Sequence, residues 1–145
     1  MRVFLSSVIV CLSLLLLSSA AMAQLRSEIV VGPSSTTPEG TVVAALKAGM
    51  AGDFNAYLTT VHPDHKKVKK QIAQRRRYEW NRFSKQAQWY VKARRPFTIE
   101  VTRRNPEGKS HYRIFIKDQT HPDRMPVPVR LRKSGGAWKI ITNSL

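Results

Sequence analysis

A chain of 145 residues, 42% of them hydrophobic and without an internal repeat, has enough apolar side chains for one domain with its own core. Lys and Arg number 25 against 9 Asp and Glu, a formal net charge of +16, which points to anionic partners such as nucleic acid, acidic lipid or an acidic cell-surface polymer. One cysteine excludes a disulfide-stapled scaffold, so stability has to come from the hydrophobic core.

The first residues read as an export signal. Arg2 supplies a positive start, residues 3–17 are nearly all apolar, and Ala21-Met22-Ala23 is an A-x-A cleavage site. The apolar run is too short for a membrane span, so the expected mature chain is 24–145, periplasmic or extracellular, with no transmembrane segment. An uncleaved N-terminal anchor is the other reading of the same stretch. Cys11 lies in the middle of the apolar run, which leaves the mature chain without a thiol and argues against a lipid-anchored cysteine. In 24–36 a brief apolar patch, Ile29-Val30-Val31, precedes Gly32-Pro33-Ser34-Ser35-Thr36, the composition of a flexible lead-in that docks through the patch.

Residues 37–64, TPEGTVVAALKAGMAGDFNAYLTTVHPD, read as two packed helices. Thr37 is an N-cap, Pro38 fits the first helical position, and Val42, Val43, Leu46 and Met50 recur at helical spacing. Gly52 and Asp53 stop that helix and cap the next, in which Phe54, Tyr57, Leu58 and Val61 share a face. Small residues, Gly49 among them, leave room for a close neighbour. A third helical region, roughly 65–92, is the most basic part of the chain, with Lys66, Lys67, Lys69, Lys70, Arg75, Arg76, Arg77, Arg82 and Lys85. An apolar line of Val68, Ile72, Trp80, Phe83 and Ala87 threads through it, with a drift in register near Arg76 that predicts a kink or a break into two helices.

Beyond Pro96 the period changes to that of a strand. Phe97, Ile99 and Val101 alternate with Thr98, Glu100 and Thr102; residues 105–108 read as a turn; Tyr112, Ile114 and Ile116 alternate with Arg113, Phe115 and Lys117. After a connection at 118–124, Val127, Val129 and Leu131 mark a third strand, in which Pro128 demands an edge or bulged position. A turn at 134–136 leads to a last strand with Trp138 and Ile140. The expected fold class is α+β, with N-terminal helices packed on a mainly antiparallel four-stranded sheet.

The stretches TPEGTVVAALKAGMAGDFNAYLTTVHPD at 37–64 and MPVPVRLRKSGGAWKIIT at 125–142 resemble small exported bacterial members of the nuclear-transport-factor-two-like (cystatin-like) superfamily. The resemblance covers nearly all of 37–142, though 65–124 matches only in the order of elements. It implies a single domain over 37–145 and a strongly curved sheet that wraps the helices into a cone able to hold a pocket. Its motifs encode a scaffold and are silent on activity.

Catalytic members of that superfamily place an Asp, or an Asp–His or Tyr pair, inside the cone. Here Glu100 is the one acid within a predicted strand, on the face away from Phe97, Ile99 and Val101, and it reads as an ordinary exposed residue; no catalytic residue is assigned. Neither a nucleophile triad nor a phosphate-binding glycine loop is visible, and no cofactor is implied. His62-Pro63-Asp64-His65 and His121-Pro122-Asp123 contain metal-ligand residue types, yet His-Pro-Asp also ends one element and caps the next, and that reading is the stronger; Asp118 and Asp123 read as turn residues. Trp80, Phe83, Trp89 and Tyr112 are the candidate pocket lining, with core packing the usual fate of aromatics at such spacing. The basic helix carries the sharpest signal, because 66–77 holds seven basic residues and no acid. Two functions follow: a non-enzymatic exported module docking on an anionic polymer or membrane surface, or a small-molecule binder or proton-transfer enzyme that uses the cone. No feature sets an oligomeric state.

Overall fold

A computed structural model describes residues 27–145; the expected signal at 1–23, with Cys11, lies outside the described residues. Helix α1 (Pro38–Ala51) starts where expected, with the Thr37 hydroxyl accepting from the Gly40 N–H at 3.0 Å, and it ends at Gly52, whose φ of 70° suits a residue without Cβ. The Asp53 carboxylate then accepts from the Ala56 N–H at 2.9 Å and opens α2 (Phe54–Thr60). A 3₁₀ turn at Pro63–His65 leads to α3 (Lys69–Gln74), a π-helical turn at Arg75–Trp80, α4 (Asn81–Gln86) and a closing 3₁₀ turn at Ala87–Tyr90. The π turn sits where the apolar register drifts. Its wider winding lets Ile72 before it and Trp80, Phe83 and Ala87 after it reach one core.

Among the described residues six strands form one open sheet, two more than alternation alone suggests: β1 (Glu28–Val31), β2 (Val91–Arg94), β3 (Phe97–Glu107), β4 (His111–Ile116), β5 (Val127–Ser134) and β6 (Ala137–Asn143). The order is β1-β3-β4-β5-β6, with β2 also on β3, and every one of these pairings is antiparallel. The two unforeseen strands have four residues each, too few for a period of two to stand out. The apolar patch of the lead-in does dock, and it does so as β1, with Val30 opposite Ile99 and packed on the core. The helical region ends at Tyr90, short of the expected Lys92, because Val91 and Ala93 pair with β3. Pro128 precedes the first pairing of β5 with β6, at Val129 and Asn143, so an inner strand has an open side where it lacks an N–H.

The helices cover one face of the sheet. Leu46, Tyr57, Phe83, Ile99, Ile114, Leu131 and Ile140 are fully buried between the two layers. At Gly49, α1 meets α4 and the 3₁₀ turn after it so closely that a Cβ would lie 2.8 Å from the Ala87 Cβ and 2.9 Å from Phe83 Cε1. The segment after α2 runs along the free edge of β6, bridging Val61 to Ile140 in parallel. No helix among the described residues is long and apolar enough to cross a membrane.

Candidate anion-binding surface

In the basic helical segment the nine acids of the chain decide which cations remain free. Glu79 lies one turn beyond Arg75 and takes its guanidinium at 2.5 Å, and Arg75 is left 11% exposed. The same carboxylate accepts from the Tyr57 hydroxyl, which Asn143 Nδ2 also approaches at 3.4 Å. Burial, then the Glu79 charge, pushes the Tyr57 phenol well above its ordinary pKa, so this network stays a neutral phenol against an ion pair. The acid-free reading of 66–77 therefore needs correcting: Arg75 belongs to the interior because its i,i+4 partner falls just past that window.

Two lysines at the start of the segment are also engaged within the chain, Lys66 from a half-buried position and Lys67 from an exposed one. The Lys66 ammonium donates to the Leu58 carbonyl at 2.6 Å, at the C-terminal turn of α2, and burial lowers its pKa. Lys67 reaches Asp64 at 2.7 Å, and Asp64 also takes Arg132 from β5. These hydrogen bonds, from Lys67 first and Arg132 second, hold the Asp64 carboxyl down to about 2. Arg132 Nε further donates to the His62 ring at 3.1 Å, and burial followed by the Arg132 charge depresses the pKa of that imidazole. Together these contacts clamp residues 58–67 to the sheet.

The remaining cations point outward. Lys69, Lys70, Arg76, Arg77 and Arg82 are exposed and pair with no carboxylate among the described residues. The Arg76 guanidinium lies 4.6 Å from the Phe54 ring centre and that of Arg77 5.4 Å from Tyr78, which fixes both without neutralising them. With Asp53, Phe54, Trp80 and Asn81, the two arginines line an open groove of about 680 Å³ between the α1–α2 turn and the π turn. Val68 is 53% exposed and Tyr78 66%, so apolar groups stand out among the charges.

The candidate pocket residues do not converge. Trp80 and Phe83 touch each other, ring centres 6.1 Å apart, inside an aromatic cluster with Phe54 and Tyr57. Trp89 sits apart in a groove with Lys92, Arg94 and Thr120, edge-on to His121 at 4.9 Å. Tyr112 packs on Trp138 across the sheet. Glu100 is more covered than its position in the sequence suggests, held by Gln119 at 3.1 Å and facing Lys92 at 3.8 Å.

The sequence reading missed one cluster. Asp118, expected as a turn residue, is 1% exposed and accepts from the N–H groups of Thr120 and His121 and from His121 Nδ1. Burial raises its pKa, but the hydrogen bonds from His121 and Thr120 outweigh that and hold it below its usual value. Arg124 lies 3.7 Å away. Three hydrogen bonds to this carboxylate close the 117–124 connection, whose Asp-x-x-His spacing is the only trace in the sequence. No group of three or more His, Cys, Asp or Glu able to hold a metal ion occurs among the described residues; His62 and His121 are engaged by Arg132 and Asp118. Compared with models of known families, with curated proteins and with solved structures, the chain has no match.

Proposed function

We propose that this chain is an exported, non-enzymatic binding domain of the nuclear-transport-factor-two-like kind, whose outward helical face docks on an anionic polymer or membrane surface. One observation carries the reading: all acids except Asp53 and Asp123 are taken up in ion pairs with other groups, Glu79 with Arg75 and Asp64 with Lys67 and Arg132 among them, while Lys69, Lys70, Arg76, Arg77 and Arg82 stand exposed and pair with no carboxylate among the described residues. Exposed Val68 and Tyr78 between these cations add apolar contact of the type an interface rewards. Register shifts in the β3–β4 and β5–β6 pairings supply the bends that a cone requires. Buried Leu46, Tyr57 and Phe83 fill the space behind the sheet, which supports docking over small-molecule binding or proton transfer in the cone.

The test is binding of the purified protein to a labelled polyanion and, separately, to acidic vesicles across a salt titration. The variant is Arg76→Gln with Arg77→Gln; Arg75 is left alone because it is part of the interior. Binding that falls steeply with salt, with the slope reduced by about one for each cation removed, supports the reading. Weak binding, or binding unchanged in the variant, overturns it. The two arms separate polymer from bilayer.

A further inference from the structure

The outer face of the sheet carries a second set of cations, two of them without a carboxylate partner among the described residues, and the strand register defines it. With Ile114, Val129 and Leu131 buried toward the helices, the alternate positions face away from them. One row across the strands reads Asn105, Arg113, Arg130 and Thr142, and the next reads Arg103, Phe115 and Pro128. Arg113 and Arg130 are thus directly opposite each other on neighbouring strands, a like-charge pair that weakens a sheet.

The protein relieves this only in part. Glu107 takes one Arg113 nitrogen at 2.5 Å, while the Arg113 Nε is buried without a hydrogen-bond partner. Arg130 is exposed and pairs with no carboxylate among the described residues. The Arg103 guanidinium lies 4.0 Å from the centre of the Phe115 ring and is likewise without a carboxylate. By contrast Arg132 and Lys139, also opposite each other, are held by Asp64 and by the Thr59 carbonyl. Arg103, Arg113 and Arg130 come from three adjacent strands, so they span about 10 Å, two strand spacings.

We propose that this face binds a linear chain of phosphates lying across β3, β4 and β5. Guanidinium forks match phosphate oxygens, and the tetrahedral group offers acceptors to two forks at once, as the Arg113–Arg130 pair requires. A bilayer fits poorly, since the exposed large apolar residues among the described ones are Ile29, Val31, Val68, Tyr78 and Met125, none of which is in these rows. Nucleic acid fits poorly too: Arg103 covers Phe115, the aromatic ring in these two rows on which a base would stack. This proposal does not rest on the helical face.

The experiment measures binding of inorganic polyphosphate of defined length to the purified protein across a salt titration. Its variants are Arg103→Gln and Arg130→Gln, both at positions without a carboxylate partner, beside the helical Arg76→Gln/Arg77→Gln pair. Each sheet variant is expected to weaken polyphosphate binding about fivefold and to lower the salt slope by about one. Sheet variants that bind as the parent does overturn the proposal, whatever the helical pair does. Loss in the sheet variants with no loss in the helical pair supports this face and removes the helical one. Single-stranded DNA or a polyuronate binding more tightly than polyphosphate at equal charge overturns the assigned partner.

Discussion

Where the helical segment meets α2, Arg75 is gripped by Glu79 at 2.5 Å and joined through it to the Tyr57 hydroxyl. One and two residues later, Arg76 and Arg77 rest on aromatic rings and meet no carboxylate. Three consecutive arginines in the sequence thus divide into one interior group and two exterior ones. The π turn that contains them aims the first inward and leaves the other two in solvent. Charge density along a sequence therefore overstates the surface charge wherever an acid waits one turn away.

The largest expected effect separates these two classes. Glu79→Ala strips the acceptor from both Arg75 and Tyr57, and leaving these part-buried donors without a partner costs about 2 kcal/mol. Arg77→Gln, on the exposed side, stays within about 0.5 kcal/mol of the parent. Chemical denaturation of both variants checks the division; equal losses would break it. Gly49→Ala comes next. Its Cβ would meet Ala87 and Phe83 below 3.0 Å, and the repacking between α1 and α4 costs about 2 kcal/mol. An unchanged midpoint there would mean that the buried side is looser than its distances say.

Local chemistry made much of the fold legible. Thr37, Pro38, Gly52 and Asp53 bound α1 and α2 where the sequence places them, since a cap is decided within a few residues. What stayed hidden depends on register between distant segments. Continuing the alternation from Phe97, Ile99 and Val101 would turn Arg103 inward and Arg104 outward. The pairing shift between Val101 and Arg103 reverses this. Arg104 consequently reaches Glu39 at 2.6 Å and Glu28 at 2.5 Å, while Arg103 joins the outer face. The clamp of Arg132 on Asp64 and His62 spans nearly seventy residues of chain and leaves no local trace.

That clamp predicts an acid limb in stability. His62 is buried, and its depressed pKa means that below its ordinary value of 6.5 the unfolded chain takes up a proton that the folded one resists. Stability is therefore full above about pH 6.5 and falls as the pH drops toward the folded-state value of His62. The Arg132 charge opposes the proton while Asp64 and the Lys133 backbone favour it, so the net direction follows from burial first and Arg132 second. His62→Gln is expected to flatten the limb in denaturation curves taken from pH 7 to 5. A limb that survives the substitution would place its origin outside this cluster.

The smallest effect compares the two exposed cationic faces. On the helical side, removing Arg77 relieves no close like charge from an opposite strand, so stability does not move. On the sheet, Arg130→Thr replaces one member of a directly opposed arginine pair with a residue that favours strands, and about 0.2–1 kcal/mol of stability is gained. The same substitution removes a fork from the proposed phosphate-binding row. Gain in thermal midpoint with loss in polyphosphate binding is the signature of a residue held against the interest of the fold. A variant that gains stability and keeps binding would make the opposed arginines a tolerated defect of the sheet.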